Sequence, residues 1–183
     1  RIHEEDKDRL RTMLDAYLNN DTSSFEVEYR IKHFNETYRW MLIRGLAVRD
    51  SNGKAYRVAG SQTDITDKKL SEEKSIHDAL HDMLTGLANR TLFLDRIRQI
   101  LKKRERNPKL QFAVIYIDLD RFRLVNESLG HVHGDELIIL TGNRLKGSVQ
   151  PGDTVARLGG DEYSILMEDI NNVDQATEMA EKI

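Results

Sequence analysis

The chain has no cysteine and only two prolines among its 183 residues. The absence of cysteine excludes disulfide bonds and any metal site that depends on thiolate ligands. The formal net charge of −3 argues against a surface built to bind a nucleic-acid polymer, which needs a basic excess. The length and the 39% hydrophobic content are sufficient for one large or two small packed domains.

Long hydrophobic runs are also absent. No apolar stretch approaches the roughly 20 residues that a membrane span requires, and no signal peptide is visible. We therefore expect these segments to be cytoplasmic, and a membrane anchor outside them is left open. His77 and His81 form a helical i, i+4 pair without further metal ligands, so a surface position is favoured for both.

Residues 158–163 read Leu-Gly-Gly-Asp-Glu-Tyr and lie between two runs of β-branched, aromatic and aliphatic residues. This pattern predicts two paired strands with Gly159 and Gly160 at the turn. Glycine permits positive φ and has no Cβ, so a ligand could lie against the backbone while Asp161 and Glu162 project beside it. An ordinary acidic hairpin tip is the alternative interpretation.

Residues 112–117 form an almost unbroken apolar run of strand length, which is followed by Asp118 and Asp120. The run predicts a buried central strand that ends at a site. Because side chains alternate along a strand, Asp118 and Asp120 are expected to face the same way. If the hairpin lies beside this strand, one of them could share Mg²⁺ with Asp161, since Mg²⁺ is usually held by one or two carboxylates and substrate phosphates. A capping role in the next loop is the alternative for Asp118.

Residues 126–135 read as a polar connection with two glycines, and a helical run follows them. Asn126 and Asp135 together offer the donors and acceptors that match a guanine edge. Capping of the following helix is the simpler interpretation of Asp135.

Four blocks of the sequence, residues 82–90, 117–127, 130–135 and 157–163, resemble the GGDEF family of diguanylate cyclases in order and spacing. The resemblance extends from about Asp78 to the end of the chain. It implies a palm-like α/β domain that condenses two GTP molecules into cyclic di-GMP with release of pyrophosphate. It also implies a homodimer in which each subunit presents one GTP.

The resemblance assigns a role to each matching residue. Asp118 and Asp161, with the carbonyl of Leu119, are expected to hold Mg²⁺ or Mn²⁺. Asp161 and Glu162 are expected to be catalytic, with the part played by Glu162 left open. The expected substrate-binding residues are Asn126, Asp135, Gly159, Gly160, Arg123 and Phe122.

Several positions depart from the family pattern. Tyr163 stands where phenylalanine is usual, and its added hydroxyl needs a partner. Arg123 and Glu127 replace the commoner lysine and aspartate while preserving charge. Family members continue with a further strand and a helix that carries phosphate-binding cations, so we expect a C-terminally truncated domain. Its last predicted helix has the apolar face Val173, Ala176, Met179, Ala180 and Ile183.

The first part of the chain has a different pattern. A helical spacing over residues 1–20 and a break at 21–24 precede three predicted strands, residues 25–31, 38–48 and 55–63. With Asp64-Ile65-Thr66 before a charged helix, this order resembles the carboxyl-terminal half of a PAS sensor domain. The sequence does not identify a PAS ligand, and ordinary sheet packing is favoured for Trp40.

In the charged segment 67–84, a few apolar residues recur at a spacing close to that of a heptad repeat. A two-stranded signalling helix and a solvated linker are both compatible with it. The predicted organisation is therefore a partial PAS domain at 1–66, a linker helix at 67–84 and a GGDEF domain at 85–183. The fold class is α/β (α+β), with a central antiparallel-containing sheet flanked by helices and preceded by the PAS antiparallel sheet.

Three functions are compatible with these patterns. The first is an active diguanylate cyclase regulated by the PAS sensor. The second is a catalytically weak GTP-binding module of a larger cyclic di-GMP protein, with a downstream phosphodiesterase domain. The third is a structural dimerisation unit, against which the clustered carboxylates argue because their mutual repulsion costs stability.

The segment Gln150-Pro151-Gly152-Asp153 stands where many relatives carry an Arg-x-x-Asp inhibitory site for the product. Without a guanidinium, bidentate capture of a guanine or phosphate is lost, so we predict little product feedback through this segment. Titration of the protein with cyclic di-GMP measures the affinity directly. Tight binding that depends on Asp153 would contradict the prediction.

Overall fold

A computed structural model describes residues 1–19, 22 and 24–183, and it is a mixed fold of helices and antiparallel strands. The chain divides into two compact units, Arg1–Lys74 and Ser75–Ile183. The predicted fold class, antiparallel sheets flanked by helices, is confirmed. No helix among the described residues is both long and apolar enough to cross a membrane.

The first unit packs one helix against a three-stranded meander. Its core is formed by Tyr17 of the helix and by Phe25 and Val27 of the first strand, as the alternation of that strand predicts. The end of the predicted helix at Asn20, and Asp21 and Ser23 of the predicted break, lie outside the described residues. The elements are α1 (Glu4–Leu18), β1 (Phe25–Lys32), β2 (Tyr38–Arg49) and β3 (Ala55–Asp64), with strand order β1-β2-β3.

A buried ion pair ties α1 to β1. Asp6 is only 5% exposed, and both its carboxylate oxygens accept from the Arg30 guanidinium, at 2.9 Å from Nε and 3.0 Å from Nη2. The backbone N–H of Arg30 donates to the same carboxylate at 2.8 Å. The hydrogen bond from the Arg30 side chain is the main reason that the pKa of Asp6 falls to about 2.

Helix α2 (Thr66–Leu80) begins at a hydrogen-bonded junction with the sheet. Thr66 Oγ1 accepts from the backbone N–H of Trp40 at 3.0 Å, and the N–H of Ile65 donates to the Trp40 carbonyl at 2.9 Å. Asp64 accepts from both the N–H and the hydroxyl of Thr66. The predicted Asp-Ile-Thr segment therefore fixes the start of α2 to strand β2.

The predicted linker helix is shorter than expected, because α2 ends at Leu80 and not at Leu84. The chain turns after Leu80, where the N–H of Asp82 donates to the Leu87 carbonyl at 2.8 Å and the N–H of Gly86 donates to the Asp82 carbonyl at 2.8 Å. Leu84 packs against the core of the second unit, so it belongs to that core and not to a heptad edge.

The second unit places helices around a three-stranded antiparallel sheet of order β4-β6-β5. Tyr163 is completely buried, and its hydroxyl donates to the Ile138 carbonyl at 2.7 Å, which supplies the partner that this residue needs. The elements are α3 (Arg90–Arg106), β4 (Phe112–Asp118), α4 (Phe122–Leu129), α5 (His131–Ser148), β5 (Thr154–Gly159), β6 (Glu162–Glu168) and α6 (Val173–Lys182).

Strand β6, and not β4, is the central strand of the described sheet. Its residues from Tyr163 to Met167 are all buried, whereas β4 alternates and leaves Val114 47% and Tyr116 56% exposed. The prediction of β4 as a buried central strand is therefore wrong. The apolar run was misleading because valine and tyrosine are also common on the exposed face of a strand.

Asp120 does not belong to the strand. β4 ends at Asp118, and Asp120 lies in a turn that leads through Arg121, at φ 60°, into α4. Strand alternation consequently does not apply to Asp120, and the expectation that it faces the same way as Asp118 has no structural basis.

The predicted connection at 126–135 is helical instead. Helices α4 and α5 cover it, separated only by Gly130 at φ 84°. Asp135 lies on the exposed surface of α5, inside the helix, so its interpretation as the N-cap is wrong. Gly134 is buried within α5, where it serves helix packing and not a turn.

Helix α6 confirms the last predicted helix. Ala176, Met179 and Ile183 pack against the core, but Val173 is 73% exposed and Ala180 is also exposed, so neither belongs to the apolar face.

The Asp6–Arg30 pair predicts a pH-dependent stability of the first unit. The pKa of Asp6 is lowered from 3.8 to about 2, so the stabilisation is complete above pH 3.8 and is lost as the pH falls through about 2. Asp6→Asn should lower the free energy of unfolding at neutral pH by about 2 kcal/mol. Fluorescence of Trp40, the only tryptophan, reports unfolding of this unit.

Asp8→Asn is the matched control, since Asp8 is an exposed aspartate of the same helix. The deficit of Asp6→Asn should shrink between pH 4 and pH 2, whereas Asp8→Asn should follow the wild type throughout. A deficit of Asp6→Asn that does not change with pH would contradict the assignment.

Candidate active site

The hairpin between β5 and β6 carries two glycines that its backbone requires. Gly159 pairs with Glu162 across the turn, and Gly159 and Gly160 have φ values of 141° and 55°. A side chain is strained in such conformations, although a Cβ at either position would meet open space. The two glycines therefore shape the backbone and leave room above it.

The pairing of β4 with β6 brings the acidic residues together. Asp118 is the direct partner of Glu162 in the antiparallel register, and Asp161 precedes Glu162 by one residue. From the usual spacing of paired strands, the Cα atoms of Asp118 and Asp161 are no more than about 9 Å apart. Asp118 is exposed and Asp161 is partly exposed, so both are open to solvent ions.

An arginine clamp holds the tip of the hairpin. Arg157 donates to the Gly160 carbonyl from Nε at 2.9 Å and from Nη2 at 2.7 Å. Its Nη1 donates to the Asp82 carboxylate at 3.0 and 3.2 Å. One guanidinium therefore links the residue before Asp161 to the turn that follows α2.

Asp82 is itself held by neighbours. Its Oδ1 accepts from the N–H and the hydroxyl of Thr85, at 2.9 and 2.7 Å. Burial raises the pKa of Asp82, but the hydrogen bonds from Thr85 and Arg157 outweigh burial and lower the pKa below its ordinary value. Asp82 is therefore ionised at neutral pH, and its negative charge compensates the positive charge of Arg157.

A depression of about 450 Å³ lies beside the hairpin tip. It brings Asp161 together with three residues of α4 that the sequence proposed as substrate-binding. Its lining residues are Phe122, Arg123, Asn126, Glu127, His131 and Asp161.

Asn126 is held against α5 by close helix packing. A Cβ at Gly134 would overlap Asn126 Oδ1 and would come within 3.3 Å of the Phe122 ring. Glycine at this position leaves the space that the Asn126 side chain occupies. This packing role of Gly134 was not visible in the sequence.

Two further side chains, Glu127 and His131, also line the depression. Arg123 forms an ion pair with Glu127 at 2.7 Å, so its guanidinium is partly neutralised. His131, the first residue of α5, was not among the predicted site residues although it lines the depression.

Six of the predicted residues do not line this depression: Asp118, Leu119, Asp135, Gly159, Gly160 and Glu162. Asp135 lies one helical turn beyond His131 on the exposed surface of α5. Asp118 lies at the end of β4, opposite Glu162. The Leu119 carbonyl accepts from the Phe122 N–H at 3.2 Å. A carbonyl oxygen has a second lone pair, so this bond leaves it able to contact a cation.

The donor set suits magnesium better than a transition metal. The described residues contain no group of three or more His, Cys, Asp or Glu side chains arranged to hold a metal ion. Two carboxylates and a carbonyl form a small set of hard oxygen ligands, and Mg²⁺ typically completes such a set with water and phosphate. The residues present therefore fit that ion.

Two family models match the chain. Residues 79–183 match the model described as "Diguanylate cyclase, GGDEF domain", and residues 1–62 match the PAS fold.

Curated relatives extend the likeness. The bifunctional diguanylate cyclase/cyclic di-GMP phosphodiesterase MucR of Pseudomonas aeruginosa is 46% identical over 105 residues, which are 57% of this chain and 15% of MucR. The diguanylate cyclase TpbB of the same species is 33% identical over 141 residues, 76% of this chain and 32% of TpbB. The chain thus spans less than a third of the length of these relatives.

Solved structures share the fold of the second unit. The GGDEF domain of TpbB has a TM-score of 0.53 and 37% identity, covering 55% of this chain and 58% of that chain. A sensory box/GGDEF family protein from Caulobacter crescentus has a TM-score of 0.53 and 38% identity, covering 56% and 66% respectively.

Gly134→Ala should displace the Asn126 side chain, because the new methyl group overlaps the amide oxygen, and it should lose the roughly 0.5–1 kcal/mol that alanine usually gains over glycine in a helix. Urea unfolding followed by circular dichroism measures the stability. The NMR signals of the Asn126 side-chain amide should move at the same time.

Gly147→Ala is the control in the same helix, since a Cβ there meets nothing within 4 Å. It should stabilise by about 0.5–1 kcal/mol, the usual gain of alanine over glycine in a helix. If both variants were stabilising and the Asn126 signals stayed unchanged, the packing role of Gly134 would be refuted.

Proposed function

The chain belongs to the GGDEF family of diguanylate cyclases, whose model matches 79–183, and on that premise we propose that it condenses two GTP molecules into cyclic di-GMP with release of pyrophosphate. The placement of Asp161 and Asn126 around one depression carries the proposal. A catalytic carboxylate and a base-reading amide serve such a reaction only if one nucleotide contacts both.

Asp118 and Asp161, with the Leu119 carbonyl, would hold Mg²⁺ or Mn²⁺. The strand register supports this assignment, since it brings the two aspartates to one edge of the sheet. The bound cation would neutralise charge developing on the phosphates and lower the pKa of the attacking 3′-hydroxyl. The two carboxylates would fix the position of the cation and thereby of the phosphates that it binds, and such positioning is most of what phosphoryl-transfer enzymes supply.

The nucleotide would lie across the depression. Asn126, which occupies the space left by Gly134, would accept from and donate to the guanine edge, with Asp135 as the second base-reading residue. Gly159 and Gly160 would let phosphates approach the hairpin backbone, which carries no side chain at these positions.

Phe122 and Arg123 would complete the substrate contacts. Both line the depression, and Arg123 is paired with Glu127 in the free protein. A phosphate would compete with Glu127 for the guanidinium, because a charge-assisted pair with phosphate can be bidentate. Glu162 would be catalytic beside Asp161, at the position opposite Asp118.

Two copies of the chain would be needed for one reaction. Each GTP provides the nucleophile for the other, so two half-sites must face each other, and a homodimer supplies that proximity. Helix α2 suits pairing, since Leu70 and Ile76 are exposed on it and none of its residues is buried within the described chain.

Regulation by the PAS unit is the remaining part of the proposal. The junction at Thr66 fixes α2 to β2, so a change in the sheet would alter the start of that helix. The PAS ligand is not identified, and the availability of GTP favours the cytoplasm as the site of action.

A second candidate function is a GTP-binding regulatory module with weak turnover. The observation in its favour is that the relative MucR is named a bifunctional cyclase and phosphodiesterase, of which this chain spans only 15%. In such a protein, GTP binding alone could control a downstream phosphodiesterase domain.

The test is to incubate the full-length gene product with GTP and Mg²⁺ and to measure cyclic di-GMP and pyrophosphate by chromatography. The wild type should form both products. Asp161→Ala should lower the rate by about 100-fold or more, because a metal ligand is lost.

Asp174→Ala, at an exposed aspartate of α6, is the control and should keep the wild-type rate. Binding of GTP without product would favour the regulatory module. Product formation that Asp161→Ala leaves intact would contradict both the mechanism and the site.

A further inference from the structure

The tip of the β5–β6 hairpin is not fixed by the sheet itself. The register of β5 with β6 shifts between Arg157 and Gly159. Gly160 and Asp161 lie beyond the last pair of the ladder, so its backbone hydrogen bonds do not hold them. Gly160 also has a φ of 55° and no side chain that could anchor it. Another contact must therefore fix the backbone that leads into Asp161.

The Arg157 side chain supplies that contact. Its Nε and Nη2 both donate to the Gly160 carbonyl, at 2.9 and 2.7 Å, and its Nη1 donates to the Asp82 carboxylate. All three guanidinium nitrogens are thus engaged, and the side chain is only 13% exposed. The Gly160 carbonyl shares a planar peptide unit with the nitrogen of Asp161, so the guanidinium fixes the plane from which Asp161 starts.

The segment that follows α2 holds Arg157 in turn. The Asn89 side-chain amide donates to the Ala79 carbonyl at 2.9 Å, and the Asn89 N–H donates to the Leu80 carbonyl at 2.9 Å. The neighbouring Ala88 carbonyl accepts from the Arg157 N–H at 2.9 Å. A continuous series of hydrogen bonds therefore runs from the last carbonyls of α2 to the arginine that holds the hairpin tip.

We infer that Arg157 is a positioning residue for Asp161: through the Gly160 carbonyl it keeps that carboxylate within reach of a cation bound at Asp118, and Asp82 orients its guanidinium. The inference rests on the proposed cyclase function, in which Asp161 holds the cation. Arg157 and Asp82 do not line the depression and are not among the expected metal-binding or base-reading residues.

The fork of the guanidinium is what this role requires. An ion pair with Asp82 alone would need only Nη1, whereas Nε and Nη2 both donate to the Gly160 carbonyl. Lysine carries the same charge on a single nitrogen and has no rigid fork, so it cannot hold both partners in the same geometry. Arg157→Lys therefore keeps the charge and removes the positioning.

Arg157→Lys in the full-length protein should lower kcat for cyclic di-GMP formation by about tenfold or more, because a small displacement of a group in the site has a large effect on the rate. The Mg²⁺ concentration that gives half of the maximal rate should rise by about tenfold, because Asp161 is no longer held in place. Wild-type values of both quantities in Arg157→Lys would overturn the inference.

Lys103→Gln is the matched control. It removes the ion pair between Lys103 and Glu168, which is 2.8 Å long and lies at the opposite end of β6 from the hairpin tip. The variant should keep the wild-type kcat and Mg²⁺ requirement. If Lys103→Gln raised the Mg²⁺ requirement as much as Arg157→Lys, the effect would be a general loss of stability and the inference would fail.

Asp82→Asn tests the orientation of the guanidinium. If Asp82 acts through Arg157, adding Asp82→Asn to Arg157→Lys should change kcat by less than about twofold. Losses of kcat that multiply would show that Asp82 does not act through the arginine.

Amide NMR signals of the 183-residue chain test the contact without turnover. The Asp161 nitrogen is bonded to the Gly160 carbonyl carbon, so its chemical shift responds to hydrogen bonds that this carbonyl accepts. Arg157→Lys should shift the Asp161 signal and lower its heteronuclear NOE, whereas Lys103→Gln should leave both unchanged. An unchanged Asp161 signal in Arg157→Lys would refute the positioning role. If the wild type made no cyclic di-GMP, the proposed function would fail, and these signals would still decide the contact.

Discussion

The antiparallel pairing of β4 with β6 is the constraint on which the candidate site depends. Backbone hydrogen bonds along the ladder fix Asp118 opposite Glu162, so main-chain geometry sets the positions of the carboxylates. A slip of one residue would turn every side chain of β4 to the other face and bring Ile115 and Ile117 out of the core. The hydrophobic core therefore enforces the register of the site.

The sequence predicts those parts of the fold whose signal is local. Strict alternation located β1, and the two glycines with their flanking runs located the β5–β6 hairpin. Asp161 and Asn126 were proposed as parts of one site from motifs about 35 residues apart, and they line the same depression. The motif order was informative because residue types with a shared chemical purpose recur at fixed spacings.

The sequence missed what depends on packing between elements. Gly134 read as a loop residue because glycine breaks helices in isolation, but in α5 it makes room for Asn126. Arg157 was overlooked because contacts across a turn leave no trace in linear spacing. The apolar run of β4 suggested burial on both faces, since hydrophobicity alone does not tell which face a neighbour covers.

The single-residue joint between α4 and α5 has an evolutionary consequence. Gly130 is the whole connection, so inserting one residue there would rotate α5 by about 100° relative to α4 and take Gly134 away from Asn126. Among descendants of this gene, we expect insertions and deletions in the loop between α3 and β4 and not at Gly130. We therefore expect the number of residues between Asn126 and Gly134 to stay constant, whereas the residue types around them can change.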